Sequence, residues 1–421
     1  MKNWLILLFL SIVSSQISVL DLNGQGKVYY SFDPASIAIG DSWLFSCNLE
    51  NRTVNSLSSI VGEKKTTLQA FTSFNSISAL DNYKYSNQSI NLLSFSFPFS
   101  KASAFSFGVS PKTKTDFELI NSDFSFIPGD SVTDPLAYNN KYIVRGGISQ
   151  FHIGVATKIN DKLSFGMKWK KLFGNQFIDH SNYLYSIDYN SVGEATYAIE
   201  DSSFSKVSRN YNGNDIELDY RLKLNNKSSV VMLSSFSLHA LITQTYTVTS
   251  WLDNQWGQGI EMTSENQVEN SKKIHMNYFA IGYSRLLLNN IKYNIEYHST
   301  NPVTYNNSLM LFDQHPTKYK SIHFGLSKQL NLSETSFINS ISLGTGSSIK
   351  KILRNNDDIY DINLSFGASL IYGQDLNKFD ISVQVGSTIN PIENIDFEKY
   401  FNINLGLVVG DFWFNKDRRK D

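Results

Sequence analysis

Apolar and polar residues alternate along most of the chain from Thr66 onward. The stretch from Ile362 to Leu370 is the clearest case, because apolar residues occupy every second position and asparagine, serine or glycine lies between them. Successive side chains of a β-strand point to opposite faces, so this period predicts strands with one apolar and one polar face. The same pattern recurs in residues 163–169, 216–224, 379–385 and 403–409. The chain is therefore expected to be all-β.

The connections between these stretches are alternately short and long. The short connections are rich in turn-forming residues and lie at 100–101, 160–161, 225–226, 289–290, 331–334 and 373–375. The long connections are polar and cover 76–88, 111–145, 174–212, 252–273, 299–318, 347–358 and 388–398. Outer-membrane barrels combine short periplasmic turns with long extracellular loops. The alternation therefore predicts a transmembrane antiparallel up-and-down β-barrel.

One spanning strand for each segment gives about fourteen strands, an even number of the kind that single-chain bacterial barrels have. The barrel is expected to cover residues 66–414, with its first strand near 66–74 and its last near 400–409, so that both ends lie in the periplasm. Residues 415–421 then form a charged periplasmic tail. Strand-like residues inside the loops, such as Tyr183 to Tyr189, indicate that some hairpins extend beyond the membrane.

The N-terminal residues have the features of a cleaved signal peptide. Lys2 precedes an apolar run from Trp4 to Val13 and two small serines, so residues 1–15 are assigned to export, and the outer membrane of a Gram-negative-type cell is the expected location. Residues 16–65 lack clear strand periodicity and form either a disordered lead or a plug in the barrel lumen. The plug, a periplasmic or luminal hatch, is favoured because residues 28–32 and 43–45 are too apolar for a solvated tail.

Composition excludes several functional classes. A formal net charge of -1 offers no basic surface for nucleic acid. The single cysteine, Cys47, cannot form an intramolecular disulfide and is interpreted as a small apolar residue rather than a reactive thiol. The seven histidines are scattered, and neither a metal-ligand spacing nor a catalytic motif is present, so no enzyme activity, metal or cofactor is expected. A 14% aromatic content with a mean hydropathy of -0.23 suits a barrel that is apolar outside and polar inside.

Charged residues on the polar faces of the fifth and sixth predicted strands are expected to point into the lumen. They are Lys168, Lys170, Glu217, Asp219, Arg221 and Lys223. The carboxylate of a ligand would meet Lys168, Lys170 or Arg221 there through charge-assisted hydrogen bonds. The alternative interpretation is a ladder of ion pairs that braces the barrel against its plug.

Several stretches resemble the FadL-type family of long-chain fatty-acid and hydrocarbon transporters. Residues 35–41 and 55–60 are similar to the N-terminal hatch of that family, and residues 146–154 and 406–414 are similar to its barrel. The hatch residues implied by the resemblance are Gly40, Asn55, Ser56 and Leu57. Asn55 keeps the first residue of the family's Asn-Pro-Ala motif, and Ser56 and Leu57 replace its Pro-Ala. The chain also ends at Asp421, whereas many barrels end in an aromatic residue. The resemblance implies a fourteen-stranded barrel with a hatch that passes hydrophobic molecules.

Three functions remain open at this point, since a fold does not determine a function. The first is transport of a hydrophobic small molecule through a barrel gated by its hatch, and the second is a barrel that docks secreted or surface proteins or assists their assembly. A general porin is the third, and a filled lumen disfavours it. The expected partners are outer-membrane lipids, a hydrophobic ligand, the barrel-assembly machinery during biogenesis and a secreted protein.

Overall fold

The computed structural model describes most of the chain. The described ranges are 27–28, 31–48, 53–62, 65–79, 83–125, 136–189, 195–252, 260–273, 277–300, 318–332, 337–354, 357–373, 377–390 and 395–411. The predicted signal peptide, residues 1–15, and the predicted tail, residues 415–421, lie outside these ranges.

Strands account for nearly all of the described secondary structure. In chain order they are β1 (Lys27–Val28), β2 (Thr66–Ala79), β3 (Tyr83–Pro98), β4 (Ser103–Ser125), β5 (Leu136–Lys158), β6 (Leu163–Tyr189), β7 (Ala195–Asn225), β8 (Ser228–Leu252), β9 (Ile260–Lys273), β10 (Tyr278–Leu286), β11 (Ile291–Thr300), β12 (Lys318–Asn331), β13 (Ile338–Arg354), β14 (Asp357–Tyr372), β15 (Asn377–Asn390) and β16 (Ile395–Asp411). The described helices are short: α1 (Pro34–Ile37) and 3-10 turns at Leu57–Ile60 and Leu288–Asn290. None of these helices has the length and apolar character needed to cross a membrane.

Fourteen of the strands form a closed antiparallel barrel. Each of β2–β8 and β10–β16 pairs with the next strand of this series in sequence, with β8 followed directly by β10. The ring closes between β16 and β2, where Asp411 pairs with Thr66 and Glu398 pairs with Ala79. The predicted fold class and strand number are confirmed.

Two further strands lie outside the ring. The two residues of β1 pair with Thr113 and Lys114 of β4. Strand β9 pairs with the distal part of β8, from Leu241 to Leu252, while β10 pairs with its first part. Together β8 and β9 extend one side of the barrel beyond the neighbouring β10.

The described parts of the predicted long loops are largely strand. Strand β4 ends at Ser125 and β5 begins at Leu136, both inside the segment assigned to a loop. Strand β6 likewise ends at Tyr189 and β7 begins at Ala195. Polar residues mask this extension in the sequence, because both faces of a hairpin contact water once it leaves the membrane. Its backbone groups still pair across the hairpin, so the ladder continues. The prediction of extended hairpins near residues 183–189 was in this respect correct.

Side chains alternate between the lipid face and the lumen as predicted. The Phe366 side chain is 55% exposed on the outer face, whereas Ser365 and Ser369 are fully buried on the inner face. The apolar outer surface faces lipid, and the polar inner surface needs hydrogen-bonding partners within the lumen.

Candidate functional site in the barrel lumen

Residues 31–48 and 53–62, called the luminal segment below, contact inward-facing side chains of the barrel and are almost entirely buried. The segment starts with α1, which forms because Pro34 occupies its first turn and the carboxylate of Asp33 caps it by accepting a hydrogen bond of 3.0 Å from the Ala35 amide. Helix α1 packs on β14, β15 and β16, while the 3-10 turn at residues 57–60 packs on β5, β6 and β7. The segment therefore spans the lumen between distant parts of the wall.

Gly40 lies at a close approach between the luminal segment and the wall. Its φ of 87° is in the region that glycine adopts most easily, and an added Cβ would lie 2.6 Å from the Phe324 carbonyl oxygen and 2.7 Å from that of Ser347. The Gly40 amide donates to Ser365 Oγ at 2.8 Å, and its carbonyl oxygen accepts from His323 Nδ1 at 2.7 Å. Only a residue without a side chain fits here.

The wall opposite Gly40 is also lined with glycine. Gly325, Gly344, Gly346 and Gly367 occupy inward positions of β12, β13 and β14, and added Cβ atoms would touch residues 38–40 of the segment. These four glycines form a smooth surface that lets the backbone of the segment approach the backbone of the barrel.

Glu296 of β11 holds the next part of the segment. Its carboxylate is fully buried and accepts hydrogen bonds from Ser42 Oγ and from the Trp43 amide, the latter at 2.9 Å. His298 Nε2 lies 2.8 Å from the same carboxylate. Because a buried carboxylate is costly unless it is hydrogen-bonded, these contacts fix the chain direction at Ser42 and Trp43.

Aromatic rings pack next to this carboxylate, because His298 contacts both the carboxylate and the neighbouring rings. The Trp43 ring centroid lies 3.8 Å from that of His298, which in turn lies 4.1 Å from that of His323. Lys292, on the same strand as Glu296, donates to the carbonyl oxygens of Ser46 and Asn48. Strand β11 thus provides a continuous row of side chains that bind the luminal segment.

The predicted hatch residues Asn55, Ser56 and Leu57 contact the opposite wall. Ser56 Oγ donates to the Asp219 carboxylate at 2.8 Å, and the Asn55 carbonyl oxygen accepts from Lys168 Nζ at 2.7 Å. The Leu57 side chain lies over Gly154 and Gly166 of the barrel. Their role as a hatch stays a prediction.

Lys168 and Lys170 share one buried carboxylate. Their Nζ atoms lie 2.9 Å and 2.5 Å from the two oxygens of Glu217, which also accepts from the Tyr278 hydroxyl. A second buried pair joins Lys112 to Asp215. The geometry is that of an ion-pair ladder which, through Lys168, braces the wall against the luminal segment.

Arg221 and Lys223 lie apart from this ladder. The guanidinium of Arg221 contacts the Leu44 carbonyl oxygen at 3.5 Å, and Lys223 is exposed near the β7–β8 turn. The three predicted ligand-binding residues are therefore not brought together, because Arg221 lies nearer the short-turn end of β7. Whether Lys168 and Lys170 bind a ligand stays a prediction.

A small cavity remains between the segment and this wall. It offers about 40 Å³ to water-sized molecules. Its lining mixes apolar and charged side chains: Phe32, Trp43, Val54, Asn55, Leu92, Ser110, Lys112, Gln150, His152, Lys168, Lys170, Asp215, Glu217, Leu233 and Tyr278. Since a buried water needs roughly 10–15 Å³ by this measure, the cavity has room for a few waters.

The sequence analysis did not single out Lys292, Glu296 and His298, although all three lie on the polar face of one alternating stretch. These residues occupy every second or fourth position of β11, on its polar face. Charged residues at inward positions, combined with inward glycines on neighbouring strands, were the available evidence for a bound segment. Among the described residues no cluster of histidine, cysteine or acidic side chains is placed to hold a metal.

Cys47 lies within the luminal segment and is fully buried beside Ile39 and Phe45. Burial raises the pKa of its thiol to about 12, so the reactive thiolate is scarce at neutral pH. Cys47 behaves as the small apolar residue that was predicted.

The sequence matches the model of one protein family, BamG, over residues 40–420. This match covers most of the luminal segment and the whole described barrel. The chain belongs to the BamG family. No curated protein matches the sequence.

The BamG-family barrel also resembles several solved structures. A FadL homologue from Pseudomonas aeruginosa has a TM-score of 0.56 at 9% identity, with 91% of this chain and 99% of that chain covered. The CymD monoaromatic hydrocarbon channel has a TM-score of 0.51 at 10% identity, with 90% and 97% covered. A TodX monoaromatic hydrocarbon channel mutant (deltaS2S3) has a TM-score of 0.55 at 10% identity, with 91% and 99% covered. The BamG-family chain thus shares the fold of FadL-type outer-membrane barrels, although the family that it matches is BamG.

Proposed function

We propose that this BamG-family chain is a closed outer-membrane barrel that docks to other proteins and serves as an accessory of the barrel-assembly machinery. The observation that supports it best is the binding of the luminal segment to two distant parts of the barrel wall. The segment is bonded to β11 through Glu296 and to β7 through Asp219, and a cavity beside it offers about 40 Å³ to water-sized molecules. A barrel of this kind presents its outer surface, turns and hairpins to partners.

The chemistry of the cavity also favours docking over an open porin. A polar solute would need a continuous water-filled path, whereas the described lumen contains buried ion pairs and backbone hydrogen bonds to the luminal segment. Breaking such buried pairs one partner at a time is strongly unfavourable. The segment is therefore expected to stay in place unless another interaction replaces these contacts.

The family name supports the choice of partner, since BamG points to the barrel-assembly machinery. The uneven height of the barrel is consistent with a docking role as well. Strands β6 and β7 have 27 and 31 residues, whereas β10 and β11 have 9 and 10. The longer strands form a tall wall on one side that is available for contact with another protein.

Transport of a hydrophobic small molecule is the second candidate. It is supported by the fold shared with the CymD channel and the FadL homologue. Phe32, Leu92 and Leu233 give the cavity an apolar side, and Lys168 or Lys170 would meet the carboxylate of a fatty-acid-like solute if Glu217 released them. In this function the luminal segment acts as the hatch.

The docking function is tested by purifying the chain from its native membrane in mild detergent, with an affinity tag after Asp421. Stoichiometric recovery of the central barrel of the assembly machinery is the expected result. Depletion of the chain should then lower the amounts of other outer-membrane barrels. A chain that purifies alone, and whose depletion leaves those barrels at normal levels, would overturn the proposal.

The transport function has a separate test. Uptake of a radiolabelled long-chain fatty acid and of toluene is compared in cells with and without the chain. If cells with and without the chain take up these compounds equally, while the amounts of other outer-membrane barrels are unchanged, the transport function is wrong. A loss of uptake while the assembly machinery is still recovered in full would favour transport over docking.

A further inference from the structure

The short turns at one end of the barrel form a continuous surface. Backbone hydrogen bonds of 2.7 Å connect each turn to the next along the ring: Lys158 to Ala102, Lys223 to Lys162, and Leu286 to Lys227. The basic rim, as the term is used below, consists of the side chains of these turns and of Lys328. Its residues are 99–102, 158–162, 223–227, 285–290 and 328. In an outer-membrane barrel this end lies in the periplasm.

The basic rim has an unusual charge for this chain. Its exposed or half-exposed basic side chains are Lys101, Lys158, Lys162, Lys223, Lys227, Arg285 and Lys328, and its acidic side chain is Asp161. Seven positive charges and one negative charge leave a net charge of +6 on the described rim, whereas the whole chain has a net charge of -1. Positive charge is therefore concentrated on these turns, although Asp411 adds one exposed acidic side chain at the same end of the barrel.

The placement of these side chains indicates a protein partner rather than lipid. Lys101, Lys162 and Lys227 are in the turns themselves, and Lys158 and Lys223 occupy inward positions of their strands at the mouth of the barrel. Lipid phosphates surround the outer circumference and would be met by outward residues, which in the rim are Arg285 and Lys328. The other five basic side chains lie in the turns or at the mouth of the barrel, so most of the charge of the rim faces the periplasm.

The rim also carries exposed apolar side chains, and Leu288 is the most exposed of them. The Leu288 side chain is 78% exposed at the tip of the β10–β11 turn, beyond the end of the lipid-facing strand surface. Protein interfaces commonly have an apolar centre and a polar rim, so an exposed apolar side chain on a charged surface is suited to become buried at a contact.

We propose that the basic rim docks an acidic surface of a periplasmic protein of the assembly machinery, with Leu288 buried at the contact. This inference rests on the proposed docking function and names the surface that performs it. Opposite charges accelerate encounter and select the correct partner, and salt weakens them.

The test compares two variants with the same change in charge. Lys162→Glu with Lys227→Glu reverses two exposed turn residues of the rim, and Lys206→Glu with Lys320→Glu reverses two exposed residues on the long-loop half of the barrel. Each is purified from native membranes, and the recovered assembly machinery is quantified. A photo-crosslinking residue at Asn226, with a control at Lys320, identifies the neighbour of the rim.

The expected result is a loss of about tenfold or more in recovered machinery for the rim variant and no loss for the control variant, with a similar loss for wild type in about 0.5 M salt. Crosslinks from Asn226 to an acidic periplasmic subunit would support the same conclusion. Full recovery with the rim variant would overturn the inference and leave the docking function intact. Crosslinks to an acidic periplasmic protein outside the machinery would support the rim and overturn the proposed function, while crosslinks to lipid alone would overturn the rim.

Discussion

The carboxylate of Glu296 accepts a hydrogen bond of 2.9 Å from the backbone amide of Trp43, 253 positions earlier in the chain. One residue lies in the wall of the barrel and the other in the luminal segment. Both side chains are buried, so solvent weakens the bond little. It links the folding of the N-terminal segment to the completed barrel, because β11 must be in place before the bond can form.

Removing the charge of Glu296 should loosen the luminal segment. Glu296→Gln weakens several charge-assisted hydrogen bonds, and a loss of about 2 kcal/mol corresponds to roughly a 30-fold increase in opening. Cys47 reports this opening, since its buried thiol reacts with maleimide only when the segment leaves the wall. The labelling rate of Cys47 in detergent is the measurement.

The control for this experiment is Asp358→Asn, which removes a charge from the partly exposed pair with Lys351 on the barrel. It should leave the labelling of Cys47 unchanged. If Glu296→Gln also labels at the wild-type rate, the carboxylate does not hold the segment.

Gly40→Ala should disturb the segment far more than Gly62→Ala. Both glycines have positive φ angles, 87° and 85°, so both variants carry a similar backbone strain of about 1 kcal/mol. Added Cβ atoms meet backbone oxygens at Gly40 and nothing within 4 Å at Gly62. Faster labelling of Cys47 in Gly40→Ala alone is expected. Equal labelling in the two variants would mean that strain, rather than the close approach, sets the effect.

Much of the fold follows from the alternation in the sequence, and the site follows from it less completely. The outward Phe366 and inward Ser365 were predicted correctly because a strand allows only two faces. The pairing of Glu217 with both lysines was not predictable in detail, since it depends on the register between β6 and β7. The bond from Glu296 to Trp43 depends on where an irregular segment crosses the lumen, and no local pattern encodes that position.

Loss of the Glu217 charge should be more damaging than loss of an exposed acidic residue. Glu217→Ala leaves Lys168 and Lys170 buried without their shared carboxylate, and removal of one partner from a buried pair costs about 3–5 kcal/mol. Glu118→Ala removes the partner of Lys141 from a pair that is about one-third exposed, which is worth roughly 0.2–1 kcal/mol. Heat-dependent gel mobility of the folded barrel compares the two. Similar midpoints would show that Glu217 is dispensable for the ladder.

Arginine at Phe366 should destabilise the barrel because this side chain faces lipid. A cost of about 2–4 kcal/mol is expected for Phe366→Arg near the midplane of the bilayer. Phe366→Leu keeps an apolar surface toward lipid and should cost less than about 1.5 kcal/mol. Unfolding in denaturant from lipid vesicles measures both. An equal loss in the two variants would indicate that Phe366 packs against protein instead.

Deleting residues 26–59 should convert the closed barrel into an open pore. The ring of fourteen strands closes through β16 and β2 without any contribution from the luminal segment, so the barrel is expected to fold in its absence. A ring of this size is wider than an eight-stranded barrel, whose interior side chains alone fill it, and the exposed polar wall would hold water. Large, steady conductance steps in planar bilayers are expected for the deletion, with a closed trace for the full chain. Folding of the deletion is checked first by its gel mobility. A folded deletion variant that stays closed would show that the segment does not seal the lumen.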